Sequence, residues 1–255
     1  MIDTHCHLTF EELENDMDSV LERSINAGVT GWITIGTDTR HNEKAAKLAQ
    51  SYDNMYAAVG IHPHYAKDIT ADDIEILNQL AVGEKIVAVG ETGLDFHYNL
   101  SPAQQQKELF IKHLEIAKKL DLPVVIHSRN AFDETISVLD DFAKGIEKIV
   151  FHCFGGDLQQ AKVVIDKGYY VSFTGVVTFH SADVARDVVR NVPAERIMLE
   201  TDCPYMSPAP MRKQKINEPA LMAYTAKFIA ELKGINFDSF AELTTKTSKD
   251  FFNLP

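Results

Sequence analysis

The stretch SPAQQQKELFIKHLEIAKKLDLPVVIH, Ser101 to His127, sets the architecture because it contains one complete helix-to-strand repeat. Ser101-Pro102-Ala103-Gln104 reads as a capping box with proline at the first helical position. Leu109, Phe110, His113, Leu114, Ala117 and Leu120 then recur at three- and four-residue spacing, which lays one apolar face along a helix. Leu122-Pro123 ends that helix, since a residue before proline avoids α geometry. The run Pro123 to His127 next to it is a short buried strand ending in a histidine.

To either side, the same unit recurs along the chain. Short β-branched or apolar runs stand at Ile2 to His5, Gly31 to Ile35, Met55 to His62, Ile86 to Glu91, Pro123 to His127, Lys148 to His152, Tyr169 to Phe173 and Arg196 to Asp202. Their ends lie 21 to 36 residues apart, room for one strand, one helix and two short loops. Eight parallel βα units in about 250 residues make a (β/α)8 TIM barrel. Residues 1–255 read as a single domain, because no linker, low-complexity tract or sequence repeat interrupts the rhythm. Phe237 to Leu254 departs from it, and Phe240, Leu243, Phe251 and Phe252 mark a C-terminal helical cap packed on the barrel exterior.

Composition narrows the class further. With 24% charged and 45% hydrophobic residues, the 255-residue chain is neither disordered nor fibrous. Three cysteines argue against a disulfide framework, and no run approaches the roughly 18 apolar residues of a membrane span. A cytoplasmic protein without a membrane partner is expected; no obligate protein partner is evident. The formal charge of −12 repels polyanions at long range, so a nucleic-acid partner requires a local positive field.

That field has a source at the strand ends, where barrels of this class carry their active sites. Six of the ten histidines, His5, His7, His62, His64, His127 and His152, lie at or just past an expected end. Chance would place about one there. His5 and His7 flank one residue, so an extended chain points both imidazoles the same way and turns Cys6 aside. Glu91 follows the apolar run Ile86 to Val89, while Glu200 and Asp202 compete at the eighth strand, with Asp202 nearer the mouth. Imidazoles after Val-Val-Ile and Ile-Val-Phe need hydrogen bonds or coordination to offset their burial. His5, His7, His127 and His152 with Glu91 and Asp202, four histidines and two carboxylates from five strand ends, are too many for one tetrahedral ion and suit two ions with open positions. Cys6, Cys153 and Cys203 read as small buried hydrophobes outside the site.

Taken in order, Asp3-Thr4-His5-Cys6-His7-Leu8, Gly60-Ile61-His62-Pro63-His64, Gly90-Glu91-Thr92-Gly93-Leu94-Asp95, Pro123 to Arg129, His152-Cys153-Phe154-Gly155-Gly156, Glu200 to Tyr205 and Asn217-Glu218-Pro219 resemble the signatures of the TatD family of metal-dependent deoxyribonucleases. The resemblance spans essentially the whole chain. It implies a two-metal barrel in which His5, His7 and Asp202 hold one ion, His127 and His152 hold the other, and Glu91 bridges them. Family members are described as Mg-dependent nucleases, often 3′-exonucleases, although imidazole favours Zn, Mn, Co or Ni over Mg. Two divalent ions are therefore expected, with Mg, Mn and Zn as the candidates. Two features depart from the family pattern: Thr9 replaces the usual acid, and the loop Pro208 to Ile216 is one residue longer than usual and lacks its glycine.

The expected chemistry is hydrolysis of DNA phosphodiesters at single-stranded or frayed ends by a water that the two ions acidify, with Asp202 accepting its proton. His62 is expected to bond a phosphate oxygen or help protonate the leaving oxygen, with His64 a weaker candidate. Arg129, Arg212, Lys213 and Lys215 are candidates for the flanking phosphates. Two other readings compete. One is amide or ester hydrolysis, amidohydrolase-like or on an aminoacyl-tRNA, although Lys85 lies before the fourth strand and leaves no lysine at the mouth for a carbamylated bridge. The other is a metal-binding protein without turnover, which the open ligand count opposes. Two carboxylates contribute −2 and two divalent ions +4, so the mouth is net positive by about two despite the acidic chain.

Overall fold

A computed structural model describes all 255 residues. Its strands, in chain order, are β1 (Ile2–Cys6), β2 (Gly31–Ile35), β3 (Met55–Val59), β4 (Ile86–Asp95), β5 (Val124–Arg129), β6 (Ile149–Phe151), β7 (Tyr170–Phe173) and β8 (Ile197–Leu199). They form one sheet in the sequential order β1 to β8, with helical segments following each strand, the (β/α)8 arrangement that the periodicity predicts. The pairs β1–β2, β3–β4, β4–β5, β5–β6 and β7–β8 are parallel. Every residue of β1, β2, β4 and β6 is buried; β2, β6 and the first half of β4 therefore read as apolar runs rather than alternating ones, whereas β1 and the end of β4 bury polar residues. No helix is long and apolar enough to cross a membrane.

The chain divides into two compact units, Met1–Thr34 with Cys153–Pro255, and Ile35–His152. In the first, β8 leads back to β1: Asp202 N donates to His5 O at 2.8 Å, His7 N to Cys203 O at 2.9 Å and Thr4 Oγ1 to Leu199 O at 3.0 Å. The segment expected to form a cap is a helix, Phe237–Phe252, whose Phe240, Phe251 and Phe252 are buried while Leu243 is only half-buried. It packs on β1, β8 and the helix Met222–Lys233, and Phe251 meets Tyr170 edge-on at 5.0 Å. Asn236 caps it by accepting from Asp238 N and Ser239 N, an N-cap that its sequence position, just before the apolar run, specifies.

In the second unit β4 extends four residues past its expected end at Glu91, to Asp95. Two glycines make that possible. Gly90 has φ +150° and Gly93 φ +138°, and a Cβ on Gly90 would stand 2.7 Å from Val125 O. The register of β4 against β5 shifts between Val89 and Thr92, so the strand passes Glu91 through an irregularity and resumes pairing as far as Asp95 opposite Arg129.

One expectation of this region fails. The helix runs from Ala103 to Leu120 with Pro102 as its N-cap residue and no side-chain cap, so Ser101-Pro102-Ala103-Gln104 forms no capping box and proline is not the first helical residue. Ser101 Oγ instead donates to His64 O at 2.7 Å and accepts from Lys67 N at 3.1 Å, bonds to another loop that compete with local capping. The helix ends as expected, with Asp121 in the left-handed region before Leu122-Pro123. Its buried face comprises Leu109, Phe110, His113, Leu114 and Ala117 together with Gln106 and Ile116, and Leu120 is half-buried.

Candidate metal centres and their surroundings

In the first unit β1 delivers His5 and the position just past its end delivers His7, while the turn after β8 delivers Asp202. His7 Nε2 lies 3.2 Å from Asp202 Oδ1 and His5 Nε2 3.7 Å from the same oxygen, with the two rings edge to face at 5.1 Å. All three side chains are buried. The three donor atoms, two imidazole nitrogens and one carboxylate oxygen, lie within 4.8 Å of one another, a set suited to a borderline divalent cation. Asp3, fully buried, ties the strand to the turn: Oδ1 accepts from Thr201 N at 3.0 Å and His5 N at 3.3 Å, and Oδ2 accepts from Thr201 Oγ1 at 2.6 Å. Burial pushes its carboxyl up to about 7 against the pull of those bonds.

The competition between Glu200 and Asp202 is visible in the same unit. Glu200 Oε1 accepts from Cys153 N at 2.6 Å and Oε2 from Ser172 Oγ at 2.6 Å, and its burial raises the carboxyl to about 7. Asp202 is the acid beside His5 and His7. Cys6 Sγ donates to Ile33 O, Cys203 is buried, and the candidate metal groups contain no thiol. Burial drives the Cys6 thiol far above its usual range.

The second unit holds His62, Glu91, His127 and His152. Glu91 Oε1 lies 2.9 Å from His62 Nε2, 3.2 Å from His127 Nδ1 and 3.8 Å from His152 Nε2, and the last two nitrogens are 3.2 Å apart. His62, Glu91 and His127 offer donor atoms within 4.8 Å of each other. His62 thus belongs among the ligand-capable residues. Its Nε2 faces Glu91, and its Nδ1 accepts from His64 N at 3.1 Å. Burial lowers His62 to about 4 despite the nearby carboxylate.

Asp95 is the residue that sequence reading missed. Completely buried at the end of β4, it accepts at Oδ2 from His64 Nε2 at 2.9 Å and His127 Nε2 at 3.1 Å, and at Oδ1 from His97 N at 3.0 Å and Tyr98 N at 2.9 Å. Desolvation would raise its pKa, but these donors hold it well below the usual carboxylate range. Burial likewise would lower His127, yet Asp95 and Glu91 together raise it to about 9. An ionised carboxylate only accepts, so His127 places its Nε2 proton toward Asp95 and its Nδ1 toward Glu91. The sequence signal that could have found it was the polar residue four positions past Glu91, on the same side of an extended chain.

The expected phosphate-binding residues are exposed in each unit. The Arg129 guanidinium lies 4.7 Å over the Tyr98 ring, and that of Arg212 lies 3.8 Å over Phe179. Lys213 and Lys215 are exposed on the same loop as Arg212, and His64 is committed to Asp95.

A parallel (β/α)8 sheet with histidine–carboxylate clusters at its strand ends defines the class of metal-dependent hydrolases. The family model described as TatD related DNase matches residues 2–253, and the chain belongs to the TatD family. It is therefore an enzyme, a metal-dependent hydrolase acting on ester bonds. It is 37% identical to the uncharacterized metal-dependent hydrolase YabD of Bacillus subtilis strain 168 over 100% of this chain and 99% of that protein. It is 34% identical to a 3'-5' ssDNA/RNA exonuclease TatD of Pantoea ananatis, over 100% of both chains. Among solved structures, the TatD homolog YJJV of Escherichia coli K12 matches with a TM-score of 0.93 and 33% identity, covering 100% of this chain and 98% of that one.

Proposed function

We propose that the chain is a divalent-metal-dependent nuclease that hydrolyses phosphodiester bonds of DNA at single-stranded or frayed ends, as a 3′-exonuclease. The observation that carries this reading is the clustering of histidines and carboxylates at the strand ends: His5, His7 and Asp202, and His62, Glu91 and His127, each offer three donor atoms within 4.8 Å, and His152 Nε2 lies 3.2 Å from His127 Nδ1 and 3.8 Å from Glu91 Oε1. It is supported by relatives named 3'-5' ssDNA/RNA exonuclease. His5, His7 and Asp202 would hold one ion, and Glu91, His127 and His152 would hold the second.

When bound, two divalent ions supply Lewis-acid activation of water and neutralise charge gathering on the phosphoryl group. Asp202 accepts the proton that the attacking water gives up. Asp95 holds one His127 proton on Nε2, so a bound cation would displace only the proton on Nδ1 and take that nitrogen as its donor atom. His62, with its Nε2 2.9 Å from Glu91 Oε1, acts as a positioning residue for that carboxylate. Arg129, Arg212, Lys213 and Lys215 bind flanking backbone phosphates as exposed cations, and His64 contributes through Asp95.

The test is hydrolysis of single-stranded DNA by metal-stripped protein resupplied with Mn or Mg, beside an aminoacyl-tRNA ester and a dihydropyrimidine. Metal-dependent release of nucleotides from the 3′ end is expected, with Glu91→Gln and Asp202→Asn each losing on the order of 100-fold or more. Full activity in either variant, or turnover of only the other two substrates, overturns the proposal.

A further inference from the structure

Beside the His7–Asp202 pair, Phe10 and Tyr205 form an aromatic corner. The Phe10 ring stacks on the His7 imidazole with centroids 4.8 Å and planes 16° apart. The Tyr205 ring stands across both, 6.3 Å from Phe10 at 77° and 6.4 Å from His7 at 66°. Tyr205 is 52% exposed. Its backbone is nonetheless pinned at both polar groups: its N donates to Asp202 O at 3.0 Å, and its O accepts from Asn217 Nδ2 at 2.6 Å. The same Asn217 amide reaches Thr201 O at 3.0 Å, and Asn217 N donates to Pro204 O at 2.9 Å. The turn that carries Asp202 therefore also anchors the backbone from which the half-exposed Tyr205 ring projects beside His7 and Phe10.

A rigid aromatic face next to a cation-binding carboxylate suits a ligand that has both an anionic group and a flat π system. A nucleotide has both, and stacking on an aromatic side chain needs no particular base. We propose that Tyr205, backed by Phe10, seats the nucleobase adjacent to the scissile phosphate. This rests on the nuclease reading above and adds to it a reason for single-strand preference: a base must leave its duplex stack before the Tyr205 ring can take it. Arg212, on the loop that follows Tyr205, supplies positive charge for the next phosphate.

The experiment compares kcat/KM with Mn for single-stranded oligonucleotides that carry either a normal base or a tetrahydrofuran abasic site at the 3′-terminal or the penultimate nucleotide. Wild-type protein is expected to favour the base-bearing strand at one of these positions by about 10-fold, the scale of one base–aromatic stack. Tyr205→Ala and Tyr205→Leu are expected to reduce that ratio to within about twofold, while Tyr205→Trp preserves it. Tyr205→Leu keeps most of the side-chain bulk without the π face, so it separates stacking from simple filling of space. Equal cleavage of base-bearing and abasic strands by the wild type defeats the stacking seat and leaves the nuclease reading standing. A ratio undiminished in both Tyr205→Ala and Tyr205→Leu does the same. Cleavage of neither strand defeats both readings.

Discussion

Asp95→Asn removes one charge and one acceptor from the second unit without changing the shape of the side chain. In the wild type both carboxylate oxygens are doubly engaged, Oδ1 by His97 N and Tyr98 N and Oδ2 by the Nε2 atoms of His64 and His127. An asparagine that keeps its oxygen toward the backbone turns its NH2 group toward two imidazoles that were donating. His127 must then carry its proton on Nδ1, the nitrogen 3.2 Å from Glu91 Oε1, and a protonated nitrogen has no lone pair for a cation. The opposite amide orientation instead sets NH2 against two backbone donors. Either way the expected loss is that of a broken outer partner to a metal-bound histidine, about 10- to 100-fold in affinity for the ion at Glu91 and His127, or ~1.4–2.7 kcal/mol. The ion proposed at His5, His7 and Asp202 would have no ligand bonded to Asp95, so its affinity is expected to stay unchanged. Calorimetric titration of metal-stripped protein with Mn resolves the two affinities, and a thermal melt with chelator present confirms the fold. Two unchanged affinities in a folded Asp95→Asn protein would show that Asp95 does not govern the His127 donor atom.

Gly90→Ala forces a side chain into φ +150° and a Cβ to 2.7 Å from Val125 O and 2.8 Å from Val125 Cβ. The expected cost is about 1–3 kcal/mol, read as a fall of roughly 2–12 °C in Tm, and an unchanged Tm would contradict it. His113 is fully buried on the helix Ala103–Leu120, where its Nδ1 donates to Leu109 O and its Nε2 accepts from Ile61 N at 2.9 Å. Burial lowers it to about 4, so between pH 6.5 and 4 the unfolded chain binds a proton that the folded one refuses, and its contribution is lost as pH falls. His113→Leu is therefore expected to be less stable than wild type by about 1–3 kcal/mol at pH 8, with a gap that closes by ~3 kcal/mol toward pH 4. Denaturant unfolding at both pH values checks this, and a gap independent of pH would contradict it.

The parts of the molecule that obey local pattern are legible in the amino-acid sequence. The strand order rests on buried apolar runs, and the His5–His7 pair rests on the two-residue repeat of an extended chain. What escapes such reading depends on contacts distant in sequence. Glu91 looks like a strand terminus because Gly90 and Gly93 interrupt the apolar run, yet those glycines let β4 continue to Asp95. Ser101 carries a valid capping pattern, but its hydroxyl bonds to His64 O and Lys67 N, partners some 35 residues away. His113 reads as one more member of a helix face, whereas it is the acceptor for Ile61 N at the exit of β3. Arg129 and Arg212 signal charge, and their stacking on Tyr98 and Phe179 is visible only in the fold.

Everything proposed for catalysis depends on two sets of side chains, His5 with His7 and Asp202, and Glu91 with His127 and His152, each holding a divalent ion. Elemental analysis of protein purified without chelator puts that dependence to the test. About two equivalents of divalent metal per chain are expected, falling to about one in Asp202→Asn. Fewer than about 1.5 equivalents in wild-type protein that remains unfilled on addition of Mn or Zn would contradict the two-ion site.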